Sequence, residues 1–384
     1  MHRRHLLALA VVAFVALGSH NAFGVAWPSA AGDLSLPVGE LGLVIAVSVS
    51  GYFLSTATSG AVAARIGSGR MLTLAAWLMV VALAGYAAAP GRGVLLAAAA
   101  LLGFGSGYVD AGINSHVALR HGARAMGMLH AGFGIGSAVG PLMITLLLSA
   151  GLSWRFGYWL LAAGHVVVAG LLMSAAGDWT SSPPRPSSVD RGRLPGVAWW
   201  AMLVFLLYAA VEITTGQWAF TLLTAGRGAS DMVAGIAVTG FYGGLTASRL
   251  LLGGFGHRLP VAGLSSLSAM TALAGLVLVW WGPLAWVAPA ALVLTGFALG
   301  PVFPLQTLMT PSRVGAETTS AMVGYQIAAA SLGAILLPGL VGFLVDRSGV
   351  PVIAPTLVVA ATGLVLADVV LRRSGRGITE VRPA

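Results

Sequence analysis

Long apolar stretches, broken at short intervals by Gly, Pro and Arg, dominate the chain. A membrane-spanning helix needs about 20 apolar residues. Twelve windows reach that length: 6–28, 40–62, 70–90, 94–117, 124–149, 154–176, 197–223, 232–254, 260–281, 284–308, 316–344 and 350–371. The one long polar stretch, Asp178 to Pro195, is rich in Pro, Ser and Arg. It separates two sets of six windows. The expected organisation is a first bundle over 1–177, a linker over 178–196 and a second bundle over 197–384. The first window follows Met1-His-Arg-Arg-His and runs on to Trp27 with no small-x-small site before a soluble domain. It reads as a transmembrane helix rather than a cleaved leader.

Composition makes the same point. The chain is 58% hydrophobic and 8% charged, where soluble domains carry roughly 25% charged residues. The expected class is an all-α polytopic membrane protein. The net charge of +9 comes from arginine alone, and there is no cysteine. The arginines fall between the windows, which is a topological pattern and argues against a nucleic-acid partner. With the N-terminus inside, fifteen arginines occupy cytoplasmic segments, and only Arg92, Arg155, Arg227 and Arg347 occupy outer loops. By the positive-inside bias both termini and the linker are expected in the cytoplasm, in a multi-pass inner membrane protein. The halves also echo one another: Gly60 to Arg65 and Gly253 to Arg258 both read Gly-x-x-x-x-Arg after the second window of a half. Two parallel six-helix repeats of this kind make a pseudo-symmetric transporter plan.

Few polar groups lie at membrane depth. Asp110 is foremost, because a carboxylate near a bilayer centre costs about 2.5–3.5 kcal/mol on insertion scales and persists where it faces a polar cavity. Asn114 is one helical turn beyond it and shares its face. Glu212, with Gln217 and Trp218 following, offers an acid, an amide and an indole to a polyhydroxylated solute. Trp218 also suits an interfacial aromatic belt. His130 is a candidate proton switch, and Asp110, Glu212 and His130 together form the expected proton-coupling set. Asn21, Tyr325 and Gln326 are further candidate solute contacts. Arg249 either snorkels to the interface or pairs with a carboxylate as a gate. His116 and His121, flanking Arg120, read as solvated. Pro28, Pro141, Pro301, Pro304 and Pro338 are expected to kink their helices. No His/Asp/Glu set has metal-ligand spacing, and the glycine runs lack the context of a phosphate loop. No cofactor and no metal are expected.

These residues also resemble a known family. The whole chain looks like a major facilitator superfamily transporter, most similar to its fucose–proton symporter (fucose permease-like) group. Four segments carry the likeness: Gly107-Tyr-Val-Asp110-Ala-Gly-Ile-Asn114; His130 through Gly140-Pro141; Glu212-Ile-Thr-Thr-Gly-Gln-Trp218; and the run from Pro301 through Gly324-Tyr-Gln326 to Gly342. The resemblance implies twelve helices in two pseudo-symmetric six-helix bundles, and a monomer moving a small polar, sugar-like solute with protons. It also implies gating by Arg65 and Arg258, beside the gate read above for Arg249. Departures are Ala64 and His257, where that superfamily's loop has an acid, and His20-Asn21 in the first helix, where the group carries one. The Gly136-Ser-Ala-Val-Gly140-Pro141 core is similar to that of proton-coupled exporters of drugs or metabolites, which is the alternative reading. A membrane enzyme is disfavoured, for want of a nucleophile–base set.

Overall fold

The apolar windows become helices close to their expected positions. The computed structural model describes residues 2–121, 123–179, 196–255, 261–282 and 284–374. Helices α1 (His2–Gly18) and α2 (Phe23–Asp33), joined by a 3-10 turn over Ser19–Ala22, make the first span. Then follow α3 (Glu40–Ile66), α4 (Ser68–Ala88), α5 (Arg92–Arg120), α6 (Ala123–Ser149), α7 (Trp154–Ser174), α8 (Gly196–Arg227), α9 (Asp231–Phe255) and α10 (Val261–Trp281). The chain closes with α11 (Val287–Leu299), α12 (Val302–Leu308), α13 (Thr310–Val314), α14 (Ala316–Ser348) and α15 (Ile353–Ser374). At 29 residues, α5 is about 43 Å long, enough to cross a hydrocarbon core of about 30 Å.

Three differences from expectation have physical causes. Eleven helical stretches among the described residues are long and apolar enough to cross a membrane. The remaining expected span, α9, is a helix of 25 residues diluted by Thr239, Thr246, Ser248 and Arg249. The window 284–308 is divided at Gly300-Pro301, where α11 ends and α12 begins, as two prolines in four residues dictate. The first span winds tightly at Ser19–Ala22, before Pro28 rather than at it, and the side chains of His20 and Asn21 fall in that turn. The linker residues 180–195 lie outside the described residues.

Packing repeats between the two sets of helices. In the first, α3 packs on α5, α4 on α5 and α7, and α1 on α6. In the second, α9 packs on α11, α10 on α11 and α15, and α8 on α14. The pairs correspond one for one. Small residues make this possible: a methyl group on Gly103 would overlap the backbone of Ser48, and one on Gly136 the backbone of Val15. The two sets meet along α3–α14, α6–α9 and α2–α8. Leu74, Val81, Val167 and Val359 are exposed on the outside, where lipid would cover them.

The end of the bundle opposite the start of α1, here the distal end, is tightly joined. The backbone N–H of Gly39 donates to Asp346 Oδ1 at 2.7 Å, and Gly42 abuts Pro338 and Gly339. Trp27 Nε1 donates to the Val38 carbonyl at 2.6 Å. The four arginines expected at this end are each occupied. Arg92 pairs with Glu40 at 3.0 Å and Arg155 with Asp33 at 2.8 Å. Arg227 donates to the carbonyls of Val279, Trp280 and Gly282, and Arg347 lies over the Phe343 ring. Each stands where a helix end or an acid needs a cation, which accounts for these exceptions to the arginine bias.

Candidate solute-binding cavity

A cavity of about 410 Å³ lies between the two sets of helices, within the ordinary range of small-molecule sites. Among the described residues, nineteen of the 22 that line it come from α1–α7 and the turn they contain; α8 and α9 supply only Ile213, Gln217 and Arg249. The cavity is therefore mainly a property of the first half.

Its distal floor is aromatic. Tyr86 and Tyr158 stack at 5.1 Å, and Phe23 meets Tyr86 edge-on at 4.8 Å. Gln217 closes the floor from α8, its Oε1 accepting from the Gly24 N–H at 3.0 Å. That contact depends on Gly24, because any side chain there would overlap the Gln217 backbone.

Asp110 is on the wall, four residues past the midpoint of α5. Tyr52 OH donates to its Oδ2 at 2.7 Å and Asn114 Nδ2 to its Oδ1 at 3.0 Å. The one-turn spacing of Asp110 and Asn114 thus produces the bond it implied. No cation pairs with Asp110 among the described residues. Glycines bring its partners close: Gly107, three residues before it, packs against the Tyr52 carbonyl and the Ser55 hydroxyl, a space a larger residue would fill. Asn21 and His130 also line the cavity. Asn21 Nδ2 donates to Ser137 Oγ at 2.9 Å, and the His130 ring stands edge-on to Phe14 at 6.1 Å.

Glu212 does not line the cavity; it turns to Arg249, which does. Arg249 Nη2 is 3.4 Å from both Glu212 oxygens and donates to Tyr208 OH at 2.9 Å. Its Nε reaches the Gly300 carbonyl at 3.3 Å, at the break between α11 and α12. Of the two fates expected for Arg249, pairing rather than snorkelling is observed. Removing one member of a sealed ion pair costs about 3–5 kcal/mol. Arg249 keeps 32% of its side-chain surface exposed, so Arg249→Leu is expected to cost less, about 1–3 kcal/mol. In thermal melts the double variant Arg249→Leu/Glu212→Leu should recover most of that loss. A double variant less stable than the single one would refute the pairing energy.

Other candidates lie elsewhere. Trp218 is fully buried in α8 and away from the cavity, neither a belt residue nor a cavity wall. The helix turns it from the face that carries Ile213 and Gln217. Tyr325 is 45% exposed on the outside, while Gln326, its neighbour on α14, is buried and accepts from Thr310 Oγ1 at 3.1 Å. Arg65 is exposed at the end of α3. Arg258 and His257 lie outside the described residues. His116, expected to be solvated, is instead buried, its ring 4.9 Å from Trp179. The tryptophan that covers it comes from the start of the stretch expected to be linker.

Sequence reading missed the aromatic floor and the histidines at 20 and 165. Tyr86, Tyr158 and His165 each sit in an apolar helix and His20 in the turn between α1 and α2, and only packing assembles them. The signal that could have found the histidines is burial cost: an imidazole at the middle of a spanning helix needs a partner.

The whole fold is shared with solved transporters. The chain superposes on a bacterial homolog of the human lysosomal transporter Spinster, in an inward-facing and occupied conformation, with TM-score 0.77 and 16% identity, covering 100% of this chain and 99% of that one. A variant of the nucleoside transporter NupG gives TM-score 0.75 and 13% identity, over 96% and 99% of the two chains. The human organic anion transporter MFSD10 (TETRAN) gives 0.67 and 15%, over 96% and 99%. A family model, that of the Major Facilitator Superfamily, matches residues 9–338. With its repeated helix packing and central cavity, the chain belongs to the Major Facilitator Superfamily and is a membrane transporter rather than an enzyme.

Proposed function

We propose that the protein is a proton-coupled secondary transporter that takes up a small polar, sugar-like solute by alternating access, as a monomer in the cytoplasmic membrane. The observation that carries this reading is Asp110. It is a carboxyl on the wall of the central cavity, held by two neutral hydrogen-bond donors and, among the described residues, no cation. A carboxyl so placed can exchange a proton with cavity water without first breaking an ion pair. Asn114 and Asn21 offer amides to hydroxyl groups nearby, and the aromatic floor suits the apolar face of a sugar ring. The arginine bias supports cytoplasmic termini, with the joined distal end outside. On that orientation the structure is closed to the outside, with the cavity belonging to the inward-facing limb of the cycle.

The same floor favours one second reading. Two stacked rings with a third edge-on also suit an amphipathic drug or metabolite, for which the protein would work as a proton antiporter. Proteoliposomes under an imposed pH gradient, offered a panel of sugars, polyols and amphipathic cations, separate the two. Accumulation of a sugar or polyol on the side towards which protons flow is the expected result. Accumulation of an amphipathic compound against the proton flow establishes the second reading, and flux indifferent to the pH gradient refutes both.

A further inference from the structure

Two histidines from different helices meet beside the cavity. His20 is in the tight turn between α1 and α2, and His165 is in the middle of α7. Their Nε2 atoms are 2.8 Å apart, and the rings stack with centroids 4.8 Å apart. His165 is buried, with its Nδ1 2.8 Å from the Leu161 carbonyl oxygen. A carbonyl only accepts, so that nitrogen keeps its hydrogen. Neutral His165 then presents a lone pair at Nε2; the Ala16 carbonyl, a second acceptor near its ring, already takes the Ser19 hydroxyl hydrogen at 2.6 Å, and His20 donates to that lone pair from its own Nε2. His20 is then left with a bare lone pair at Nδ1. The neighbouring hydroxyl, Ser106 Oγ at 3.5 Å, spends its hydrogen on the Leu102 carbonyl at 2.6 Å. His20 and Ser106 line the cavity, and His165 stands behind them.

We propose that His20 and His165 together form one proton-binding site on the cavity wall, loaded at His20 Nδ1 and separate from the Asp110 carboxyl. Loading adds a proton from cavity water to the Nδ1 lone pair, and no other bond breaks. The charge then spreads as the Nε2 hydrogen passes from His20 to His165, whose Nδ1–H stays on Leu161. The Nε2–Nε2 contact has room for one hydrogen, so the pair takes up one proton and never two. The titratable and charged groups around the same cavity are Tyr52, Tyr86, Asp110, His130, Tyr158 and Arg249. Of these, Asp110, one turn beyond Ser106 on α5, favours loading, and Arg249, from α9, opposes it. The use of this site in transport rests on the proton-coupled reading above; its existence does not.

The test is nitrogen NMR of the full chain in lipid nanodiscs with 15N-labelled histidine rings. His20→Gln and His165→Gln assign the two signals among the eight histidines. Titration from about pH 8 to about pH 5 brackets the ordinary imidazole pKa of about 6.5. Expected at the alkaline end are the Nδ1–H form of His165 and the Nε2–H form of His20. On acidification the two rings should gain a single proton between them, and His165→Gln should release His20 into a mixture of both forms. His20 carrying its hydrogen on Nδ1 at the alkaline end overturns the proposal, as does independent uptake of two protons or none. The same titration in Asp110→Asn should still find one proton; its loss there would mean that the site is not separate. One-proton uptake in a protein whose flux ignores the pH gradient upholds the site and refutes the coupling, and the converse result does the reverse.

Discussion

Asp110→Asn is expected to abolish uphill accumulation of whichever panel solute the native protein concentrates, while leaving solute exchange intact. One pH unit across the membrane is worth about 1.4 kcal/mol per proton, enough for about tenfold accumulation at one proton per cycle. Without a titrating carboxyl at 110 the ratio should fall to about one, which is the uncoupled limit of that same relation. The variant should fold. Tyr52 can still donate to the amide oxygen at 110, and Asn114 needs only to turn its own amide so that its oxygen accepts. Removing an ionisable group from mid-membrane also relieves a cost of about 2.5–3.5 kcal/mol. Counterflow in the absence of a gradient provides the control. Undiminished gradient-driven uptake would remove Asp110 from the coupling scheme and leave the histidine pair as the carrier to examine.

The second large effect is expected at the distal closure. Gly39 is buried, its N–H bonded to Asp346 and its Cα against the Gly342 carbonyl. Its backbone is ordinary right-handed helical, φ −66° and ψ −18°, so a larger residue is opposed by space alone. Gly39→Val should act as overpacking, at about 1–3 kcal/mol, felt only while the two halves are joined there. That energy changes the ratio of distal-closed to distal-open molecules by about five- to 150-fold. The chain has no cysteine, so spin labels at Gly32→Cys and Ser348→Cys report this end without background. Pulsed electron-spin distances should move from one short population in the parent to a mixture dominated by longer ones in Gly39→Val. A distribution identical to the parent would show that the contact does not set the equilibrium.

What the sequence made legible follows from local physics. Apolar run length locates the helices, because a spanning helix satisfies its own backbone. Asp110 and Asn114 were readable because both lie on one helix, and an i,i+4 relation needs no tertiary knowledge. Gln217 lines the cavity without the Glu212 and Trp218 expected beside it. Glu212 shows the limit. The cost of an intramembrane acid says that it must have a partner, not which one, and the partner is Arg249, 37 residues away on another helix. His20 and His165, 145 residues apart, are the same case. Trp218, Tyr325 and Gln326 were misplaced because a polar or aromatic residue in an apolar helix signals depth but not direction. Which face turns inward is decided by glycine contacts such as Gly24 on α8 and Gly103 on α3.

The lopsided lining of the cavity has its own consequence. Among the described residues, nearly every cavity-lining group rides on α1–α7, while α8 and α9 lend only Ile213, Gln217 and Arg249. On the proposed alternating-access cycle the cargo would be a passenger of one half, and the other would sweep past it as a door. Recognition and motion are then separable inheritances. A chimaera that keeps residues 1–177 and borrows its second half from a relative should keep its taste in cargo and change its pace.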